Sequence, residues 1–349
     1  MKRYNSINGL RSIACIGIIL MHVKANINYK LDSEALNTII SSFTQFVYLF
    51  FIISAFSMCC GYYEKIKNNE ISMNEFYKKR FSKILPFFSF LVLIEIVTER
   101  TFSSIYEGFM DITLLFGFLP VNDLSVIGVA WFLGVVCIFY MFFPFFVFLM
   151  DNKKRAWIVF IVSFIINILC KQYFFTEAFR QVGYPARNNF LYDLVYFSIG
   201  GIIYLYRNEI EHIVSKFIYI FVFSSIVFPV IYFIIPYNDI LFTIEMLVIF
   251  STWLCTAIGI DNNIVLNNKI ATFISKISME MYLSHMVIFR IAEKLHITHL
   301  LSNNYLSYIL TSLLVIAGVI IFSIIVNIFI VIVKEKLDKV LIDKKGIEA

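Results

Sequence analysis

Apolar positions in this chain come in long unbroken blocks, with neither the two-residue alternation of a strand nor a single apolar stripe of a soluble helix. Ten blocks can be marked, at 7–24, 36–62, 84–99, 126–150, 156–171, 190–206, 217–236, 240–260, 270–292 and 306–333. They run roughly 16 to 28 residues, and most are long enough to cross a hydrocarbon core of about 30 Å as helices. A transmembrane β-barrel would instead show alternating segments of about 10 residues, and a continuous block such as 310–333 excludes it. An eleventh block, 102–120, holds Glu107 and Asp111 and ends at Pro120, so it reads as re-entrant or interfacial. The expected fold class is all-α: a polytopic membrane protein of about ten transmembrane helices.

Charge sets the expected orientation, because cytoplasmic loops are enriched in lysine and arginine. With the N-terminus inside and ten alternating helices, 19 basic residues lie on the cytoplasmic side and 8 on the outer side, Arg187 among the latter. An eleventh crossing would move several basic loops outside, so both termini are expected in the cytoplasm. Composition agrees with this class: of 349 residues, 60% are hydrophobic and 15% charged, with a mean hydropathy of +0.82, against about 25% charged in a soluble domain. The net charge of +5 follows from this topology and gives no reason to invoke nucleic acid. Residues 1–8 lack a cleavage-site pattern, and the first block carries Arg11 and His22, so no cleavable signal is expected. The six cysteines fall within apolar blocks without CxxC spacing, which suggests neither a disulfide framework nor a metal site. The chain is expected to form one domain over 1–349, a bundle over about 7–333 with a short basic tail at 334–349.

Ionisable groups inside lipid cost roughly 2.5–3.5 kcal/mol each on insertion scales, and usually face a partner, water or a substrate. Arg11 and His22 are eleven residues apart on the first helix. Eleven steps of about 100° fall within about 20° of three full turns, which places both on one face. An arginine suits an anionic ligand, because its planar donors stay charged. A histidine suits proton transfer. Separately, Arg11 snorkelling to lipid phosphate and His22 bonding a neighbouring helix would be structural roles; sharing one face favours a site. Ser278, Tyr282 and His285 form a second stripe at i, i+4, i+7 on the ninth helix. Counted from Ile270, His285 lies about 22 Å along it, a depth similar to that of His22. The two histidines therefore either line one cavity or serve as separate interhelical hydrogen bonds. Glu280 points elsewhere on the ninth helix.

Lys78, Lys79, Arg80 and Lys83 gather before the third helix, whose Pro86 is expected in its tolerant first turn. The positive-inside rule and anionic lipid explain such a cluster; a phosphate-binding lip is the sharper reading. Glu95, Asp193 and Glu245 are acidic groups that could each pair with Arg11 or a histidine. Ser54, Ala55, Gly200 and Gly201 are small residues that permit close helix approach.

Taken together, these features resemble the acyltransferase-3 family of bacterial integral-membrane acyltransferases. Arg11 and His22 match its first-helix Arg-x10-His pair. The segment FFIISAF at 50–56, with Ser54, resembles its second-helix motif, and RFSKILP at 80–86 its third-helix entry. Trp131 with Leu133, Phe139 with Tyr140, and Pro144 follow in the family's order, then Phe197 with Gly200, and last Ser278, Tyr282 and His285. The matches span nearly the whole chain. Ala55 stands where glycine is usual, Lys83 where many members have arginine, and Val136 where many carry glutamate. No soluble SGNH-hydrolase domain of the kind fused to some members is expected.

The resemblance implies an O-acetyltransferase of the bacterial cytoplasmic membrane, moving acetyl from cytoplasmic acetyl-CoA to a hydroxyl of a surface or envelope polysaccharide. Arg11, Arg80 and Lys83 would hold the donor phosphates. His22 would act as general base, or as a transient acyl carrier, while His285 and Tyr282 orient the acceptor or stabilise the oxyanion. Ser54, Trp131, Tyr140 and Ser278 would support the site, and no metal is expected. The alternative is a transporter or flippase for a glycan or lipid-linked intermediate, with Arg11 and His22 as substrate or proton-relay groups. A structural membrane protein is a third reading.

Overall fold

The computed structural model describes residues 4–118, 128–174, 185–235, 239–261 and 263–347. Segment ends expected at Pro120, at 126 and at Pro236, and the basic residues Lys2, Arg3 and Arg180, lie outside them. Among the described residues the chain forms helices and no strand. Each of the ten apolar blocks is helical. Seven helices are long and apolar enough to cross a membrane, or up to eight if one sharply bent pair counts as a span.

The first is α1 (Ile7–Asn26). A near-continuous helical segment, Glu34–Lys67, contains α2 (Glu34–Ser42), α3 (Phe46–Met58) and α4 (Glu64–Lys67), with a π-helical turn at Cys59–Tyr63. Next come α5 (Met73–Glu99), α6 (Phe102–Thr113), α7 (Trp131–Leu149), α8 (Lys153–Leu169) and α9 (Phe190–Leu205). The polar α10 (Arg207–Lys216) meets α11 (Ile218–Ile234) at 98°; its charged residues keep it out of hydrocarbon. After α12 (Asp239–Gly259) come α13 (Lys269–Lys276), α14 (Ser278–Lys294) and α15 (Asn304–Ile347). Asn304 Nδ2 donates to the Lys30 carbonyl, and Tyr308 Oη to that of Leu20. From there α15 runs back toward the end of the bundle where α1 begins.

Three boundaries differ from expectation. The third helix starts at Met73, where the Ser72 hydroxyl accepts from the Glu75 N–H and caps it. The basic cluster is therefore helical, and Pro86 sits inside α5 instead of in its first turn. The ninth block is two helices broken at Ile277, so His285 is not on one rod with Ile270. The tail after 333 continues α15 to Ile347. Segment 102–120 gives α6, too short at 12 residues to span. It packs against α5 and leaves Phe102, Ile105, Tyr106 and Phe109 exposed, as at a lipid interface.

Much of the outer surface is apolar. On α11 no residue is buried, and Phe223, Ile226 and Ile234 are exposed; water would not tolerate so large a patch. The interior is packed instead by aromatic rings, including Phe139 on Phe197 at 4.1 Å between centroids and Phe51 on Phe132 at 5.0 Å. Small residues set the closest approach. A Cβ built at Gly200 of α9 would meet the Ile52 carbonyl oxygen of α3 at 2.4 Å and the Ala55 Cβ at 2.9 Å. This contact brings α3 and α9 together and fixes the wall that carries Ser54 and Ser57.

Candidate active site

The sequence stripe on α1 survives folding as two ends of one path. Arg11 enters a cavity of about 280 Å³ whose wall includes Ser54 and Ser57 of α3, Arg80 and Lys83 of α5, Val136 and Tyr140 of α7, Lys276 of α13 and Ser278 and Tyr282 of α14. Among the described residues, four cations and no carboxylate line it. Because α5 is helical through its basic cluster, Arg80, Lys83 and Ile84 fall at i, i+3, i+4 and share one face toward the cavity.

Each arginine is held in place. Arg11 Nη2 donates to Ser57 Oγ at 2.8 Å. Arg80 Nη2 donates to Tyr62 Oη at 2.5 Å, and its guanidinium lies 4.4 Å from the Tyr62 ring centroid, a cation–π contact. Tyr62 belongs to the π-helical turn, a kind of local defect often found at functional sites. Lys83 is exposed and makes no hydrogen bond among the described residues, which leaves its ammonium available to a ligand. Glu280, buried on α14, acts electrostatically on Lys83 from outside the cavity lining.

His22 and His285 do not line this cavity, but they meet each other. Their ring centroids are 4.8 Å apart at an interplanar angle of 49°. His285 is 1% exposed, and its Nδ1 lies 2.5 Å from the Tyr282 carbonyl oxygen. A carbonyl only accepts, so Nδ1 carries the proton and the lone pair of neutral His285 is on Nε2. That Nε2 is buried without a partner. Tyr282 joins the two zones: it lines the cavity, and its ring is 5.8 Å from His285 and 5.2 Å from Phe132. Its hydroxyl donates to the Val129 carbonyl at 3.0 Å, which commits that proton.

The remaining expected residues divide. Ser54, Tyr140 and Ser278 reach the cavity wall. Trp131 does not; it stacks beneath the guanidinium of Arg187, 5.2 Å from its ring centroid. Val136 presents an apolar wall. Glu95 pairs with Arg290 at 3.2 Å, and not with Arg11 or a histidine. Asp193 is fully buried and feels Arg187.

Lys276 and Ser57 line the cavity, yet sequence reasoning passed over both, as it did Arg187 above Trp131. Lys276 lay inside an apolar block and was given no role; the polar run at 275–278 was the signal of a helix break there. Arg187 looked like one of several outer-side charges, with nothing in its neighbourhood to distinguish it.

No curated protein and no solved structure matches this chain significantly. The family model described as an acyltransferase domain matches it over residues 4–329, from the start of α1 into the membrane portion of α15. Arg11, His22, the Arg80 segment and His285 all fall within that match. A chain covered from residue 4 to residue 329 by this model belongs to the acyltransferase-3 family and is a multi-pass membrane acyltransferase.

Proposed function

We propose that this protein is an O-acetyltransferase of the bacterial cytoplasmic membrane, taking acetyl from cytoplasmic acetyl-CoA and placing it on a hydroxyl of a surface or envelope polysaccharide. The observation that carries this reading is the four-cation cavity, connected through Tyr282 to a pair of histidines whose rings meet, His285 being buried. Coenzyme A presents phosphates, which suit guanidinium and ammonium donors. With the N-terminus inside, Arg11, Arg80, Lys83 and Lys276 form a phosphate-binding mouth facing the cytoplasm. A cavity of about 280 Å³ accommodates the thin acyl-pantetheine arm and leaves the nucleotide at the mouth.

Within the pair, His285 offers an acceptor at Nε2. A His22 N–H turned toward it fixes the His22 tautomer and leaves the other His22 nitrogen as general base, as the orienting member of a catalytic triad does. His22 then takes the proton of the acceptor hydroxyl as that oxygen attacks the thioester carbonyl. Tyr282 anchors the cavity wall and supplies the carbonyl that fixes His285. Ser54, Tyr140 and Ser278 shape the channel for the arm.

The test is transfer of radiolabelled acetyl from acetyl-CoA, in membranes containing wild type, H22A or R11A at equal abundance, to de-O-acylated envelope polysaccharide of the source organism. Label reaching polysaccharide with wild type alone is expected. Equal labelling by both variants would remove the first helix from the chemistry, and no labelling by wild type would turn the reading toward a transporter.

A further inference from the structure

An acyl transfer at His22 needs a positive group or donor for the oxygen that becomes negative in the tetrahedral intermediate. Neither neighbour expected to serve is free to do so. The Tyr282 proton is given to Val129, and neutral His285 carries only a lone pair at Nε2, which can accept but not donate. Arg187 has the required chemistry. It stands on the single 3-10 turn Ala186–Asn188, held at the entrance to α9 by Asn189, whose Oδ1 accepts from the Leu191 and Tyr192 N–H groups. Its Nη1 donates to Thr44 Oγ1 at 2.9 Å, and its guanidinium lies over Trp131. Its Nε is buried and unpartnered. Geometry places it between both zones. Trp131 lies two residues after the Val129 carbonyl that holds Tyr282, and its ring meets Phe132, which in turn meets Tyr282. The 3-10 turn Phe43–Gln45 that carries Thr44 packs on α1. From there the Arg187 charge acts on His22 and Tyr282. Asp193 does not take up its donors, since both carboxylate oxygens lack a hydrogen bond.

We infer that Arg187 is a catalytic residue of the transfer, with its unused guanidinium donors forming the oxyanion site opposite His22. This rests on the O-acyl transfer proposed above. In the step, the acceptor oxygen bonds to the thioester carbonyl carbon, the C=O π pair moves onto oxygen beside Arg187, and the hydroxyl proton passes to His22. The carbonyl then re-forms, the C–S bond breaks, and the departing coenzyme A thiolate takes the proton back from His22. Thr44 and Trp131 are positioning residues that aim the guanidinium. The same arrangement gives Trp131 a purpose its absence from the cavity would otherwise leave open. Arg11 would thus serve the phosphate end of the donor, and Arg187 the carbonyl end.

The experiment uses the full chain in lipid nanodiscs, with acetyl-CoA and de-O-acylated envelope polysaccharide as substrates. R187A is expected to lower kcat by about 10²–10³-fold with the KM for acetyl-CoA within about threefold of wild type, and added guanidinium is expected to restore part of the rate. R187Q should be as slow as R187A and R187K intermediate, while T44V should lose only several-fold. If R187A does not accumulate as folded protein, R187Q and R187K carry the test. A kcat near wild type in R187Q, or a loss that appears wholly in donor KM, would overturn the assignment. So would a folded R187A that is slow and gains nothing from guanidinium. Should wild type itself transfer no acetyl, the underlying reading fails and takes this one with it; transfer that needs His22 but not Arg187 sinks this one alone.

Discussion

His22 and His285 come from helices at opposite ends of the chain, yet their rings meet at 4.8 Å between centroids, with Nε2 of His285 buried and lacking a hydrogen-bond partner. A buried acceptor left open costs about 1–3 kcal/mol, so the pair is arranged for something other than stability. The expected kinetic signature is non-additivity. H22A should lose about 10²–10⁴-fold in acetyl-transfer rate, the range of a general base. H285A should lose less, and the double variant should be no slower than H22A. Rates measured on equal amounts of membrane-embedded protein check this; multiplicative losses would mean the two rings act separately.

Removing single cations from the cavity should act on donor affinity. R80A, K83A and K276A are each expected to raise the KM for acetyl-CoA about tenfold, since a charge-assisted hydrogen bond contributes about 1.5–3 kcal/mol, with a smaller change in kcat. K83R should stay close to wild type or improve, because the guanidinium can bind phosphate in two-pronged fashion. Initial rates against acetyl-CoA concentration decide between this and a purely lipid-facing role, in which KM would not move.

Gly200 has no room for a side chain against α3. Gly200→Val should lower the thermal unfolding midpoint in detergent, with an overpacking cost of about 1–3 kcal/mol. Because the strained contact bears on the wall holding Ser54 and Ser57, donor affinity should fall along with stability.

Asp151, outside the spans in the turn between α7 and α8, helps pin that turn to the end of the Glu34–Lys67 segment. Lys67 Nζ lies 2.9 Å from Asp151 Oδ1, and Tyr63 Oη donates to the Met150 carbonyl at 2.8 Å. The Lys67 hydrogen bond and charge hold the Asp151 carboxyl below its usual range. A carboxylate with a depressed folded-state pKa contributes stability above its unfolded pKa and loses it as pH falls through the folded value. D151N should therefore be slightly less stable than wild type at neutral pH, and the gap should close in acid. Thermal scans at several pH values test the sign; both groups are exposed, so the effect is small.

The charge pair Glu95–Arg290 makes the contrasting case. Glu95 is buried, but its partner Arg290 is more than half exposed, so solvent screens the pair. E95Q is expected to leave transfer activity unchanged and the unfolding midpoint nearly so, which an assay of the kind used for His22 would show.

Membrane residence, helical class and the approximate spans were legible in the chain because they depend on local composition: a block of apolar residues partitions into hydrocarbon whatever its neighbours do. The shared face of Arg11 and His22 was legible too, since both lie on one helix and helical periodicity alone relates them. So was the stripe of Tyr282 and His285, and the basic character of the Arg80–Lys83 segment. What lay beyond reach was whatever depends on how one helix is turned against another. Blocks that are apolar on every side carry little preference for which face points inward, so nothing local pairs His22 with His285, Glu95 with Arg290 or Arg187 with Trp131. The run of Met73–Glu99 through Pro86 was likewise set by a serine cap and by packing, against a proline that pointed elsewhere, while the break at Ile277 showed only as a short polar stretch inside an apolar block. Sequence by itself determined that this chain crosses the membrane repeatedly and carries an arginine and a histidine on one helix face. Only the tertiary structure decided which groups face that stripe, because those contacts arise from the rotation and register of helices far apart in the chain.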